Sequence, residues 1–409
     1  MGCRPLGECI ESVIDHRGLT PKKLGGDWAH SGHRALSAKN IKNGALVQEG
    51  SMNRVSDEMY YRWMTEEVER GDVFITSEAP FGEVLYWDSD EKLVLSQRIF
   101  GLKVNRDVCD SRYLYYWMRS PFFQGELRGR ATGTTVTGLR QPELLKCMVH
   151  LPPRDVQAAI AHILGTIDDK IMFNNQTNGY LSELCDAVYA NFIREKRGID
   201  WHDGTLSELI EIKYGKAHKN LADGPYPVYG SGGYMRSVEK PLSSGESVLI
   251  PRKGSLNHVM YVDEDFWTVD TMFFTIPRMP GAAKYAYQYV KGLDLASMNA
   301  GSAVPSMTVD ILNGLQLAIP CKEALDELDS ELQPTYSLIA QIRAESKVLV
   351  ELRDSLLPKL MSGEIDTSKI DLTQLNSHLP HPFPTPICCF LFHAASPRAR
   401  VPHASIMRL

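Results

Sequence analysis

The residues of this chain that could do chemistry fall into two sets. The first imitates catalytic motifs. Gly133 to Gly138 has the outer glycine spacing of a phosphate-binding loop, but Leu139-Arg140 stands where Lys and Ser or Thr would hold phosphate and Mg2+. Leu151-Pro-Pro-Arg154 lacks both the polar first residue and the aromatic last residue with which amino-methyltransferases hold a flipped base. It reads as a strand-to-helix junction, with Asp155 in the first turn. Glu211-Ile-Lys213, with Asp200 or Asp203 upstream, resembles a nuclease metal site only faintly, and His30 and His33 have no ligand cluster beside them. No catalytic residue and no metal ligand set emerges, which argues against a self-sufficient methyltransferase or nuclease.

The second set suits recognition rather than reaction. Arg34, Lys39, Lys42, Arg128, Arg130 and Arg140, and later Lys213, Lys216, His218 and Lys219, lie among Gly, Thr, Ser and Asn. Such mixtures contact phosphate oxygens and base edges through short side chains and backbone amides; solvated loop charges would leave the same pattern. The total of 44 Lys and Arg against 50 Asp and Glu, net -6, excludes a protein that holds polyanions by bulk positive charge. That charge is uneven: Lys322 to Asp366 holds ten acidic and five basic residues, so the rest of the chain is nearly neutral and can present basic faces.

The elements that must position these residues are duplicated. Leu181-Ser-Glu-Leu-Cys-Asp186 aligns with Leu349-Val-Glu-Leu-Arg-Asp354 at an offset of 168, which also brings Pro152 onto Pro320, Gly133 onto Gly301 and Val136 onto Val304. Further upstream Gly71-Asp-Val pairs with Gly245-Glu-Ser-Val, and Leu6, Glu8 and Ile10 pair with Leu206, Glu208 and Ile210. Ile160, Leu164, Ile167, Ile171, Asn174, Asn178, Leu181, Cys185, Val188 and Phe192 alternate spacings of four and three, the seam of a coiled coil. Adding 168 gives Leu328, Leu332, Thr335, Ile339, Ile342, Ser346, Leu349, Arg353, Leu356 and Leu360. The buried stripe of an ordinary helical bundle is the competing reading; equal spacing in both halves favours two helices of about 38 residues, roughly 55 Å long, paired within one chain. Pro334 is expected to divide the second into a lead-in and a main helix.

The chain's 409 residues fit two or three domains, and 43% hydrophobic with 23% charged residues exclude a wholly disordered or fibrous chain. Before each helix, runs such as Asp72–Thr76, Glu83–Trp87, Ser247–Ile250 and His258–Val262 predict short strands, interrupted by helices at Arg112–Met118 and Lys284–Val290. The fold class is therefore α+β: two α+β units with two long helices forming an intramolecular coiled coil. The expected boundaries are 1–152 and 198–320 for the units, 153–197 and 321–366 for the helices, and a disordered Pro- and His-rich tail over 367–409. Eight cysteines without a C-x-x-C pair or a preceding signal peptide suggest reduced thiols and a cytoplasmic setting, and no apolar run is long enough for a membrane span.

This arrangement resembles the specificity (S) subunit of type I DNA restriction-modification systems over residues 5 to 366. The resemblance is carried by Gly71-Asp-Val-Phe-Ile, Ser96-Gln97, Tyr113-Leu-Tyr-Tyr-Trp-Met-Arg-Ser120, Ala131-Thr-Gly-Thr-Thr-Val-Thr137 running into Leu151-Pro-Pro, Ile163-Leu-Gly-Thr-Ile-Asp-Asp-Lys-Ile171 and Leu356-Leu-Pro-Lys-Leu-Met-Ser-Gly-Glu-Ile365. It departs from the family after the first helix, where no Ser-Gly-Glu follows Arg197, and beyond residue 370. The resemblance implies two target recognition domains on double-stranded DNA, separated by the two helices as an antiparallel intramolecular coiled coil and reading a split asymmetric target. It also implies two methyltransferase (M) subunits that methylate adenine N6, and restriction (R) subunits. S-adenosylmethionine, ATP and Mg2+ would belong to those partners, and no cofactor to this chain. Readers about 55 Å apart would lie roughly 16 base pairs apart along B-DNA, or closer if the coil is inclined. Thr134, Thr135 and Arg140 in the first unit, and Ser302, Ser306 and Lys253 in the second, are the expected base readers; Lys39, Asn40, Lys216 and Lys219 are the expected phosphate contacts. The alternative is a non-enzymatic coiled-coil scaffold with two protein-binding domains.

Overall fold

The computed structural model describes residues 2–133, 137–198, 200–298 and 306–370. Thr134, Thr135 and Ser302 among the expected base readers, and the tail from 371 onward, lie outside the described residues. The chain divides into two compact units, one formed by residues up to 171 together with those from 348, the other by 172–347.

Each unit is built on the same four-stranded antiparallel sheet. In the first the strand order is Ile10–Ile14, Ile99–Val104, Val73–Thr76, Val84–Tyr86. In the second it is Ile210–Tyr214, Met272–Pro277, Glu246–Pro251, Met260–Asp263. The strand Val73–Thr76 shows no polar alternation because both its faces are covered. Val73 and Ile75 face a core shared with the helix Ser111–Arg119, while Phe74 enters a second core with Trp63 and Trp87. Val248 and Ile250 against Leu249 repeat that division in the second unit.

The helices Ser111–Arg119 and Ala282–Lys291 extend the predicted segments by one or two residues at their ends, and they are fastened identically. Tyr113 Oη donates to the His150 carbonyl (2.7 Å) and Trp117 Nε1 to that of Met148 (3.0 Å). Tyr285 Oη donates to Ala318 O (2.6 Å) and Tyr289 Oη to Gln316 O (2.8 Å). Those carbonyls belong to the strands Met148–Leu151 and Gln316–Ile319, which pair antiparallel with Gly2–Pro5 and His202–Thr205.

The long helices run over Arg154–Lys196 and Lys322–Ser362, 43 and 41 residues. The expected break at Pro334 is absent. Pro334 is exposed, so its missing N–H bond faces water, while Leu328, Leu332 and Tyr336 keep the buried stripe continuous past it. In the second unit the helices are antiparallel: Asn174 Nδ2 donates to Glu345 Oε2 (2.8 Å) and Ser346 Oγ (3.2 Å), whereas Lys196 pairs with Glu327 (2.7 Å). The polar seam position at Asn174 thus finds a polar partner on the facing helix. Two seam positions are corrected, since Tyr336 and Leu357 are buried where the heptad placed Thr335 and Leu356. A 3.6-residue helix drifts from a 3.5-residue register, and these stripes also cover the globular cores.

Candidate nucleic-acid interface

In each unit one residue at the end of a central strand ties three chain segments together. Ser77, following Val73–Thr76, donates its N–H to Arg98 O (2.8 Å) and accepts from Leu139 N (3.0 Å). Arg252, following Glu246–Pro251, donates to Thr271 O (2.9 Å) and accepts from Met307 N (2.9 Å). Arg98 and Thr271 each immediately precede the neighbouring central strand. Leu139 and Met307 each lead into a short helix, Gln141–Leu145 and Val309–Asn313.

The two ties present different side chains. Around Ser77 lie Glu78, Arg98 and Arg140; around Arg252 lie Lys253, Thr271 and Thr308. Arg98 holds a left-handed backbone (φ 65°), and its Nε lies 3.2 Å from Glu78 Oε1, with both side chains partly exposed. Arg140 is exposed. The loop before it is closed by Thr132 and Gly138, which exchange two 2.9 Å backbone bonds. In the second unit Lys253, also exposed, bridges Ser306 through the backbone, so two expected base readers meet at the matching place.

Beside the first tie opens a cleft of about 270 Å³, whose lining includes Trp28, Lys39, Asn53, Gln97 and Arg98. Ala38 N donates to Gln97 O (3.2 Å), which joins the Lys39 segment to that edge. Lys39 is exposed, as a phosphate contact requires, but Asn40 is corrected: it has no exposed surface. Its Oδ1 accepts from Ser37 N and Oγ and its Nδ2 donates to Val47 O (3.3 Å), so it fixes the turn that carries Lys39. In the second unit Lys216 and Lys219 are exposed, and Lys216 is anchored by its backbone: N–H to Thr268 O (2.9 Å), C=O accepting from Trp267 Nε1 (2.9 Å).

Other basic candidates are neutralised within the fold. Arg34 lies between Glu49 and Glu91, Arg130 between Glu126 and Glu143, and Lys213 against Glu211. The residues that sequence reasoning missed are Glu78 and Arg98. Their only signal was Ser96-Gln97 immediately before Arg98; the tie itself depends on strand pairing that no local pattern shows.

Among the described residues no group of three or more His, Cys, Asp or Glu could hold a metal ion. Burial pushes the Cys9 and Cys185 thiols up to about 11 and Cys147 to about 12, which removes their thiolate at neutral pH. No helix among these residues is long and apolar enough to cross a membrane.

The family described as the type I restriction modification DNA specificity domain matches this chain twice, over residues 16–182 and 198–350. The chain is 22% identical over 359 residues to the type I restriction enzyme MjaIX specificity subunit of Methanocaldococcus jannaschii, covering 74% of this chain and 79% of that protein. It is 25% identical over 150 residues to the MjaVIII specificity subunit of the same organism, 36% of this chain and 35% of that one. The crystal structure of the type I restriction-modification S subunit from M. genitalium superposes with a TM-score of 0.52 at 17% identity, covering 88% of this chain and 95% of that one, a likeness of fold. Two matched segments, each containing one tie, place the geometry and the comparison on the same residues: the chain belongs to the type I restriction-modification specificity family, and its general role is that of the DNA-specificity subunit of such a complex.

Proposed function

We propose that this chain reads a split, asymmetric double-stranded DNA target and directs adenine-N6 methylation and restriction by partner subunits, two M subunits and the R subunits. The observation that carries this reading is the duplicated tie. One backbone arrangement appears twice with different side chains, Glu78, Arg98 and Arg140 against Lys253, Thr271 and Thr308, so one scaffold would read two unlike half-sites. In this reading the recognition domains are residues 1–152 and 198–320, held by helices 153–197 and 321–366. Arg140, Lys253 and Ser306 act at the base edges and Lys39, Lys216 and Lys219 at phosphates, Asn40 being the support for Lys39. S-adenosylmethionine, ATP and Mg2+ belong to the partners.

The chain is tested by expressing it with M and R subunits and mapping methylated adenines across the host genome. A split, asymmetric motif that vanishes when this chain is deleted is expected; unchanged methylation would overturn the proposal. Substituting Lys39 or Lys216 is expected to weaken binding to all sequences and to lower the salt slope by about one counterion per contact.

A further inference from the structure

We propose that the first unit reads a C·G base pair with the Arg98–Glu78 pair acting as one donor–acceptor device, for which the second unit has no counterpart. The inference deepens the DNA-reading function above and rests on it.

Three observations converge. Arg98 is a non-glycine residue in the left-handed region, a conformation that persists only where the surroundings impose it. Here they do so twice. Its carbonyl is held by Ser77 N–H, and the preceding Gln97 carbonyl is held by Ala38 N–H. The side chain is therefore launched from a fixed backbone at the edge of the cleft.

Glu78 comes nearest to Arg98 at Nε, and among the described residues the two terminal nitrogens of the guanidinium donate no hydrogen bond. That end is a planar fork of N–H donors, matched in spacing to the O6 and N7 acceptors of guanine in the major groove. The carboxylate beside it is an acceptor, matched to the N4 amino group of cytosine. A C·G pair offers these acceptors and that donor side by side, so both members of the protein pair would be satisfied at once. An A·T pair would set adenine's N6 amino donor against the guanidinium donors.

At the equivalent positions the second unit carries Lys253 and Thr271. A lysine can donate to guanine but has no fork, and the guanidinium of the second unit, Arg252, stands at the Ser77 position, where it donates to Asp270 O (3.4 Å) and lies 5.5 Å from the Tyr214 ring, so discrimination there would be of a different kind. The alternative use of Arg98 is a phosphate contact, and its signature differs.

The test is methylation mapping of cells expressing the complete complex with wild-type chain, Arg98→Lys, Arg98→Met or Glu78→Gln. Arg98→Lys keeps the charge while losing the fork, so it separates readout from folding. The expected result is that one C·G position in one half of the motif becomes degenerate, with discrimination falling about 5- to 100-fold for Arg98→Met. The other half should be unchanged. Uniform loss of methylation at all sites in Arg98→Met, with normal assembly of the complex and with Arg98→Lys keeping the wild-type motif and level, would assign Arg98 to a phosphate and overturn the proposal. An unaltered motif in all three variants, where the wild type shows a split motif, would overturn it while leaving the DNA-reading function standing. A wild-type complex with no split motif would overturn both.

Discussion

The two units share a chain path and differ in what they place on it. Both have the same four-stranded order, the same helix fastened through two carbonyls and the same tie at the strand ends. The fastening residues are conserved in role even where type changes: Trp117 and Tyr289 both donate to a strand carbonyl. At the ties no such likeness holds: Glu78 and Arg98 in the first unit stand where the second has Lys253 and Thr271, and Ser77 stands where the second has Arg252. The lesson is that the repeated hydrogen bonds build the scaffold, whereas the unlike side chains at its edge are free to specify.

The difference extends into the interior, where it can be broken experimentally. The largest effect is expected at Lys284, whose counterpart on the matching helix is Arg112. Lys284 is 1% exposed and donates to Glu246 and, at 2.7 Å, to Asp329. Burial alone would lower its pKa, but the two carboxylates outweigh that and raise it. Lys284→Met leaves both carboxylates without their cation and should cost about 3–5 kcal/mol. Arg112, paired with the partly exposed Asp169, should cost about 1 kcal/mol on the same change. Hydrogen exchange resolved by unit checks both, and equal losses would contradict the comparison.

Next comes a pH response confined to the first unit. Burial pushes Asp72 up to about 6, against a bond from Glu69 N–H and the charge of Lys103, 3.9 Å away. Its place in the second unit is taken by Ser247, which is neutral and bonded to Thr275. Because the folded pKa lies above the ordinary value of 3.8, the Asp72 contribution is full below about pH 4 and is lost as pH rises through 6. Asp72→Asn should therefore stabilise the first unit by about 2–3 kcal/mol at pH 7.5 and remove this response between pH 4 and 6. Protection of Val73–Thr76 against exchange at the two pH values reads it out; no difference from wild type would refute the assignment.

Smaller still, Tyr113→Phe and Tyr285→Phe each strip a donor from a strand carbonyl and should cost about 1–2 kcal/mol, to similar extents. Unequal costs would show that the fastening is not equivalent. At the bottom of the scale, Arg62→Ala breaks an exposed pair with Glu58 and a surface bond to Leu24 O (2.9 Å), and should change stability by no more than about 1 kcal/mol in urea titration.

How much of this was legible in the sequence follows from the range of the interactions. The long helices were, because a four–three spacing repeats locally and was present twice. Pro334 signals a break through its own missing bond, whereas the buried residues on either side of it hold the helix continuous. Asn40 has the residue type of a surface contact, but Ser37 three residues earlier marks the capping turn in which it is buried. Glu78 and Arg98 were missed for a deeper reason. They lie twenty residues apart and meet only because adjacent central strands end at the same edge, a fact carried by register rather than by composition. Lys253 and Ser306, proposed separately from their types, meet at the corresponding edge.

The central claim is that the two units specify separate halves of one target. It is tested most directly by replacing residues 198–320 with a second copy of 1–152, expressing that chain with the partner subunits and mapping methylated adenines. The expected result is a motif made of two copies of the half-site read by the first unit, with the second unit's half-site gone. Retention of the original asymmetric motif would contradict it.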